Sequence, residues 1–170
     1  MKHILKITTQ NIFNLLILSL IMSLRTYKKK RILKKTGEPE AKLKKAGKKL
    51  IYLIHKHKAT NLHYDLRLEI NGVLKSWAVP KEPPIKKGVK RLAIQVEDHP
   101  IDYATFEGTI PEGHYGAGKV EIWDKGNYEL IEKDSKKIEF ELHGKKLKGK
   151  YVLIKTDYGD KKKSWLFFKM

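Results

Sequence analysis

The chain of 170 residues contains no cysteine. Disulfide bonds and thiolate metal sites are therefore excluded, and the composition fits a reducing compartment, so we predict a cytoplasmic location. Acidic residues are also scarce, with 19 Asp and Glu against 37 Lys and Arg, which gives a net charge of +18. This excess favours a polyanionic partner, nucleic acid first and an anionic membrane second.

A membrane-spanning run is missing as well. The apolar stretch at residues 12–24 is only about half as long as the ~20 residues that a transmembrane helix needs, and Asn14, Ser19 and Ser23 interrupt it. Three interpretations stay open: a signal peptide without a cleavage site, a poorly packed amphipathic helix, or translation that starts at Met22. We treat residues 1–24 as an apolar extension and predict no membrane association.

Residues 25–49 contain twelve basic residues and two acidic ones, Glu38 and Glu40. We interpret this segment as a basic arm that contacts phosphates and contains one or two short helices. Deleting residues 1–30 should then weaken DNA binding and leave catalysis intact. Residues 50–170 have the length of one domain with a real core.

After residue 50 the sequence has short alternating patterns and little helical periodicity. Asn71-Gly72 predicts a tight hairpin before a returning strand at 73–79. Spacing of this kind predicts a mainly β, single-domain barrel, and we favour a barrel because its mouth can hold converging polar side chains. Further strands are predicted at 90–97, 103–107, 119–123, 128–132, 138–143, 151–156 and 164–169, and residues 108–118 are predicted to be irregular.

His63, Asp65 and Arg67 are spaced by two, so a strand presents them on one face. His57 lies six residues upstream. Two histidines and an aspartate favour Mn, Zn or Fe over Mg or Ca and leave coordination positions open. Arg67 would face a phosphate oxygen of the substrate. The alternative is a solvated strand face, which the clustering of five of the seven histidines between His55 and His114 disfavours.

Two further stretches carry candidate chemistry. His99 follows a predicted strand and is expected to donate a proton to a leaving group or to bind a phosphoryl oxygen, with Tyr103 supporting the same oxygen. A turn that merely exposes His99 explains the pattern equally well. Gly113–Gly118 is glycine-rich, but the chain has neither GxxxxGK[ST] nor GxGxxG, so a tight turn with a sterically required glycine is favoured.

From about residue 27 to the C-terminus the sequence resembles the 3′-phosphoesterase domain of bacterial DNA ligase D. The resemblance is carried by HKHKATNLHYDLRLEINGVLKSWAVPK, KRLAIQVEDHPIDY, FEGTIPEGHYGAGKVEIWDKG and SWLFFK. It implies a manganese-dependent β-barrel enzyme, with other divalent transition metals as alternatives. Such an enzyme removes a 3′-terminal ribonucleoside and then hydrolyses the remaining 3′-phosphate to a 3′-hydroxyl.

The resemblance also implies roles for individual residues. His57, His63 and Asp65 match metal ligands, and Arg67, His99 and Tyr103 match residues around the scissile phosphate. The supporting polar or nucleic-acid-binding positions are Arg31, Lys81, Arg91 and Glu97. The chain departs from the family at four places. The family often has an acidic residue where this chain has Ile32, glutamine where it has His55, arginine where it has Asn61 and an acidic residue where it has His114.

The resulting prediction is a monomeric 3′-end-healing enzyme for DNA or RNA-tipped DNA in strand-break repair. It would work with a separate DNA ligase and polymerase. Ile32 and Asn61 put the efficiency of the ribonucleoside-removing step in question. The alternative is a catalytically weak nucleic-acid-binding module that recruits a ligase or polymerase.

Overall fold

A computed structural model describes residues 17–19, 21–42, 47, 49–158 and 163–170. Two short helices, α1 (Arg25–Lys30) and α2 (Leu33–Thr36), precede the first strand, as predicted. Gly37, with φ 66°, takes the left-handed conformation that ends α2. The apolar stretch 12–24 lies partly outside the described residues, and its positions 17–19 and 21–23 are helical. None of the helices within the described ranges has both the length and the apolar character to cross a membrane.

Nine antiparallel strands form one sheet that closes on itself. Around the barrel their order is β1-β2-β3-β4-β9-β8-β7-β6, and β6 pairs again with β1. The short β5 adds to the beginning of β6. The strands are β1 (Leu50–Lys58), β2 (Leu62–Ile70), β3 (Val73–Val79), β4 (Lys90–Gln95), β5 (Gly108–Ile110), β6 (Gly118–Lys133), β7 (Lys137–Gly144), β8 (Lys148–Lys155) and β9 (Ser164–Lys169). The predicted β-barrel is confirmed.

The hairpin between β2 and β3 is the one that Asn71-Gly72 predicts. Both residues have positive φ, 52° and 78°, as a type I′ turn requires. The predicted strand at 103–107 is wrong: the chain instead forms a 3₁₀ helix, Ile101–Thr105, directly after Pro100. Pro100 fixes its own backbone and its carbonyl accepts the Tyr103 N–H, which starts this turn.

Two other boundaries differ from the prediction. The stretches 119–123 and 128–132 belong to one long strand, β6, whose pairing with β1 shifts by one residue between Ile54 and His55. A bulge of this kind bends a strand without ending it. The stretch 108–118 is not wholly irregular, because it begins with β5.

The main core fills the barrel and includes Leu66, Leu68 and Trp77. Because side chains alternate along a strand, His63, Asp65 and Arg67 lie on the outer face of β2. A second apolar cluster covers this face and contains Tyr27, Leu53, Leu74 and Tyr103. The candidate site is therefore on the outer wall of the barrel under the N-terminal segment, and our expectation of a site inside the mouth was wrong.

Candidate active site

Three neighbouring strands place the candidate residues on one wall. In the strand register His57 of β1 lies opposite His63 of β2, and Arg67 of β2 lies opposite Ser76 of β3. His99 joins them because its backbone pairs with Leu74 at the edge of β3. The antiparallel register thus brings together residues that are up to 42 positions apart in the sequence.

A cavity of about 290 Å³ lies between this wall, the N-terminal segment and the glycine-rich loop. Eight of the ten predicted site residues line it: Arg31, His57, His63, Asp65, Arg67, Glu97, His99 and Tyr103. Lys81 and Arg91 do not. Lys81 is exposed just beyond Val79, which pairs with Tyr64, and the Arg91 Nε donates to the Glu82 carbonyl at 2.8 Å.

His57, His63 and Asp65 present ligand atoms that all lie within 4.8 Å of one another. The His57 Nδ1 is 3.9 Å from one Asp65 carboxylate oxygen, and the His63 Nε2 is 3.9 Å from the other. These separations are too long for hydrogen bonds. They leave a space between two imidazoles and a carboxylate that a transition-metal ion would fill.

The protonation of both imidazoles suits a metal. The His63 Nδ1 lies 2.9 Å from the Asn61 carbonyl, so Nδ1 carries the proton and Nε2 keeps its lone pair toward Asp65. The His57 Nε2 is buried, and no described residue forms a well-aligned hydrogen bond with it, although the Gly116 backbone is near enough to His57 to raise its pKa. Burial is the main cause that lowers the pKa of His57, followed by opposing effects of Asp65, which raises it, and His63, which lowers it. A neutral imidazole is the form that binds metal ions, so these residues fit such an ion.

Arg67 lies beside this triad with only 3% of its surface exposed. Its Nη2 donates to Asp65 at 3.2 Å, its Nη1 to the Ser76 hydroxyl at 2.9 Å and its Nε to the His55 Nδ1 at 3.3 Å. The guanidinium plane also faces the Tyr103 ring at 4.8 Å. Several N–H groups of Arg67 are therefore already engaged, so it orients Asp65 and has little of its fork left for a phosphate.

His55 is a member of this network that the sequence patterns did not select. It is fully buried, and its pKa is lowered to about 3, mainly by burial and then by Arg67. The neutral ring accepts the hydrogen bond from Arg67 at Nδ1, and its Nε2 donates to the Phe106 carbonyl at 3.0 Å. One acceptor and one donor are also what a glutamine amide offers, so the glutamine that the resemblance implies at this position would be able to form the same two hydrogen bonds.

His99 lies between two arginines and is 2% exposed. Its Nε2 is 3.0 Å from the Arg31 Nη2, and its Nδ1 is 2.9 Å from both the Glu97 carbonyl and the Arg67 Nη1. The Glu97 carbonyl can only accept, so Nδ1 carries the proton and donates to it, and Nε2 accepts from Arg31. The Arg67 Nη1 then has no acceptor at Nδ1 and donates to the Ser76 hydroxyl instead. Burial and then the two arginines hold the pKa of His99 well below 6.5. At neutral pH this imidazole is uncharged.

Arg31 enters the cavity from the turn between α1 and α2. Its Nε donates to Glu38 at 2.7 Å and its Nη1 to Glu97 at 2.9 Å. Glu38 also accepts the Tyr103 hydroxyl at 3.0 Å. Burial alone would raise the pKa of Glu97, but hydrogen bonds from its own backbone, Arg31 and Lys30 lower it. The arm predicted as a phosphate contact thus also builds one wall of the site.

Tyr27 of α1 completes this wall. Its fully buried ring packs edge-on against His99 and Tyr103, with centroids 5.1 and 6.0 Å apart. Removing residues 1–30 would delete Tyr27 and Lys30, and this changes our expectation for that deletion. We now expect it to disturb the site as well as DNA binding.

The glycine-rich loop forms the lip of the cavity. Tyr115 is exposed, and its hydroxyl meets Lys30 at 3.0 Å and Glu97 at 3.3 Å. Gly118 has φ 130°, and a Cβ there would overlap the Lys58 carbonyl, so glycine is required, as predicted. His114 is half-buried and does not line the cavity.

Four residues of this site escaped the sequence patterns: Glu38, His55, Ser76 and Tyr115. For Glu38 a signal existed, because it is one of only two acidic residues among twelve basic ones in 25–49. His55 stood out only as a departure from the family. Ser76 and Tyr115 carried no signal, because their partners are set by strand register and loop folding.

The closed β-barrel carries a His₂Asp cluster and two arginines with buried side chains on one wall, a donor set that fits a transition-metal ion beside groups able to bind phosphate oxygens. The chain belongs to the family described as the DNA Ligase D 3′-phosphoesterase domain, whose profile matches residues 55–155.

Curated relatives agree with this family. The chain is 47% identical over 153 residues to the multifunctional non-homologous end joining protein LigD of Pseudomonas aeruginosa. It is 46% identical over 148 residues to the DNA repair protein LigD of Mycobacterium tuberculosis and 45% identical over 159 residues to LigD of Mycolicibacterium smegmatis. The matches cover 84–86% of this chain but only 18–20% of each relative. The chain therefore spans about a fifth of these multifunctional proteins.

Proposed function

We propose that this protein is a manganese-dependent 3′-end-healing phosphoesterase. It removes a 3′-terminal ribonucleoside and hydrolyses the 3′-phosphate to a 3′-hydroxyl, on DNA or RNA-tipped DNA, during strand-break repair. The observation that carries the proposal is the His57, His63 and Asp65 cluster, which opens into the same cavity as Arg31 and Arg67. Family membership supports the reaction class.

The charges of the cavity support a phosphate substrate. Three cations, Lys30, Arg31 and Arg67, are paired with three carboxylates of Glu38, Asp65 and Glu97. These six groups are neutral in sum, so a divalent ion held by the triad would leave an excess of two positive charges. That excess matches the dianion of a terminal phosphate monoester.

The divalent ion, when bound, would supply Lewis acidity toward a phosphoryl oxygen. Arg67 keeps Asp65 oriented toward it and directs its remaining N–H at the substrate. The neutral His99 accepts from Arg31 and so positions that guanidinium over the cavity. We propose Arg31 as the main phosphate-binding fork, because its Nη2 contacts the neutral His99 and no carboxylate among the described residues, so a phosphate oxygen would compete well for that donor.

In this account Tyr103 and His99 act chiefly by positioning. The Tyr103 hydroxyl is bound to Glu38, and burial raises its pKa, so the phenol stays protonated. The uncharged His99 offers no proton at Nε2 in the free protein. Proton delivery to a leaving oxygen would therefore require a rearrangement when substrate binds.

Lys81 and Arg91 lie outside the cavity, and we propose them as contacts to the rest of the nucleic acid. A separate DNA ligase and polymerase acting in trans, a monomeric state and a cytoplasmic location all stay predictions. The alternative, a recruiting module with weak activity, is less favoured because the chain keeps the whole His₂Asp cluster and both arginines.

A primer–template with one 3′-terminal ribonucleotide tests the proposal directly. The protein is incubated with it, with and without manganese, and the 3′-phosphate and 3′-hydroxyl products are resolved on a gel. We expect both products in sequence and only with the metal. Shifted DNA mobility without any new product would instead identify a binding module.

A further inference from the structure

A second groove lies on the other side of Arg31, away from the His₂Asp cluster. Its volume is about 550 Å³, within the size range of ligand-binding clefts. Arg31 lines both this groove and the metal cavity, so the two spaces meet at one side chain. Lys28 of α1, Lys34 of α2 and Lys42 also line it.

The groove carries a strong charge bias. Four cations line it, Lys28, Arg31, Lys34 and Lys42, against a single carboxylate in the lining, Glu40, which pairs with Lys42 at 2.9 Å. Arg31 is paired with Glu38 and Glu97 outside the lining, so the excess charge comes from Lys28 and Lys34. Such a bias favours a ligand with several negative charges. Its floor is apolar, and Ile32 is 55% exposed there although the surrounding segment is densely basic. An apolar floor between cations suits a chain of sugars and bases linked by phosphates.

A third groove, which shares Glu97 and Tyr115 with the lining of the metal cavity, has a different charge distribution. It is lined by Lys30 and Lys163 but also by the carboxylates of Glu97 and Asp98, and Lys30 and Glu97 are already paired at 3.0 Å. Its charges therefore balance, and it offers a polyanion no net attraction. Of these two grooves within the described part of the chain, the one beyond Arg31 is the better suited to phosphates.

We propose that this groove binds the sugar–phosphate backbone of the substrate strand on the 5′ side of the reacting end. The proposal rests on the proposed function, because a 3′ end held at the His₂Asp cluster leaves all its remaining phosphates on the 5′ side. Arg31 then touches the reacting phosphate, and Lys28, Lys34 and Lys42 meet the phosphates that follow. The ligand is recognised by its backbone, without base specificity.

The test is a salt titration of binding with a matched control. A labelled 12-nucleotide strand with a 3′-phosphate is bound in the presence of chelator, so that no hydrolysis interferes. The groove variant carries Lys28→Ala, Lys34→Ala and Lys42→Ala. The control carries Lys145→Ala, Lys148→Ala and Lys150→Ala, three exposed lysines at and after the β7–β8 turn. Both variants lose three charges.

Each phosphate contact on a single strand contributes about 0.7 to the slope of log K against log salt. We expect the groove variant to lose about 2 from this slope and the control to keep it. Equal losses in both variants, or an unchanged slope in the groove variant, would overturn the proposal.

Hydrolysis then separates this inference from the proposed function. With manganese, the groove variant should lose kcat/KM on the 12-nucleotide strand about tenfold but keep it on a nucleoside 3′-phosphate, which has no further phosphate to place in the groove. If wild-type protein hydrolysed neither substrate, the proposed function would fail, and the binding slopes would still decide whether the groove holds a strand.

Discussion

At the scale of single residues, Arg67 belongs to an alternating polar pattern on β2 that a solvent-exposed strand could also have, yet its side chain is buried in a hydrogen-bond network. Spacing alone places it beside Asp65, but its other partners come from three separate segments of the chain. His55, Ser76 and Asp65 accept its hydrogen bonds, and Tyr103 covers its plane. A planar guanidinium can serve these directions together, whereas the single ammonium of a lysine cannot.

We therefore expect Arg67→Lys to bind manganese but to turn over slowly. The ammonium keeps a cation beside Asp65, while the geometry toward the phosphate is lost, which should raise the barrier by about 2–4 kcal/mol, as for the loss of one oxyanion donor. The measurements are kcat/KM on a 3′-phosphate DNA end and a manganese titration. A solvated arginine would tolerate the change with about 0.5 kcal/mol of stability loss, and near wild-type turnover would show that Arg67 has no such role.

His55 gives a second prediction at this scale. His55→Gln keeps an acceptor for the Arg67 Nε and a donor for the Phe106 carbonyl, so its activity and melting temperature should stay close to wild type. His55→Leu keeps the volume but leaves both groups unpaired, each at a cost of about 1–3 kcal/mol. Thermal unfolding and kcat/KM of the two variants check this. Equal behaviour of Gln and Leu would mean that the hydrogen bonds of His55 do not matter.

His99 makes the folded state sensitive to acid. Its folded pKa is lowered below the unfolded value of about 6.5, so its neutral form contributes stability above pH 6.5, and that stability is lost as the pH falls below it. We expect the metal-free wild type to lose more unfolding free energy between pH 7.5 and 5.5 than His99→Asn does. Urea unfolding at several pH values measures this difference. Parallel pH profiles would contradict the buried neutral state.

At the scale of elements, helices α1 and α2 act as part of the site. Tyr27, Arg31 and Glu38 reach from this segment onto the outer barrel wall, and Glu38 joins Arg31 to Tyr103. The Glu38 side chain is fully buried, whereas Glu40, two residues on, is exposed. The two glutamates therefore form a matched pair for testing whether the segment is docked.

Glu38→Gln should destabilise the protein and reduce its activity. Removing one partner of a buried ion pair costs about 3–5 kcal/mol when the other charge is left alone. The expected loss here is smaller, because Arg31 keeps its pair with Glu97 and Gln can still bond Tyr103. Glu40→Gln breaks only a surface pair and should have little effect. Differential scanning calorimetry and kcat/KM of both variants make the comparison. Equal, small effects would mean that the segment is a loose arm.

Elements with a local signal could be predicted from the sequence. Asn71-Gly72 encodes its own type I′ turn, and Ser164–Lys169 forms a strand because its alternation is local. The 3₁₀ helix at Ile101–Thr105 could not be distinguished from a strand, because a five-residue segment has too little periodicity and Pro100 decides its conformation. The two predicted strands join into β6 because a bulge lets β6 keep pairing with β1. That pairing is a contact across the sheet, and local sequence does not show it.

The site, like the fold, could be predicted only where the signal was local in the sequence. Residues two apart on β2 had to share a face, so His63, Asp65 and Arg67 could be grouped. The sequence could not show whether this face of β2 points into the barrel or outward. Polar residues alternate with apolar ones in the same way in both cases, whether they line a lumen or lie under a covering segment. The partners of Arg67 and Arg31 lie far away in sequence, and only the barrel register and the docking of the N-terminal segment bring them together.

At the scale of the whole molecule, the positive charges of the site arginines are buried, whereas those of most lysines lie on the surface. The guanidinium groups of Arg31 and Arg67 are buried and paired within the cavity, whereas the lysines that dominate the net charge of +18 are mostly exposed. Exposed charge attracts a polyanion in a salt-dependent way, and the buried charge is screened little by salt. Under the proposed function, binding of nucleic acid would therefore depend mainly on the exposed lysines, and chemistry at its end on the buried arginines.

The central claim is that His57, His63 and Asp65 form the metal centre of a 3′-end phosphoesterase. The direct measurement is release of inorganic phosphate from a 3′-phosphate DNA end by wild type and by Asp65→Ala, across a range of manganese concentrations from zero to the micromolar range. Circular dichroism of both proteins establishes that each is folded. We predict activity only in the wild type and only with manganese, because an incomplete ligand set binds the ion poorly. Full activity of folded Asp65→Ala at micromolar manganese would contradict the account.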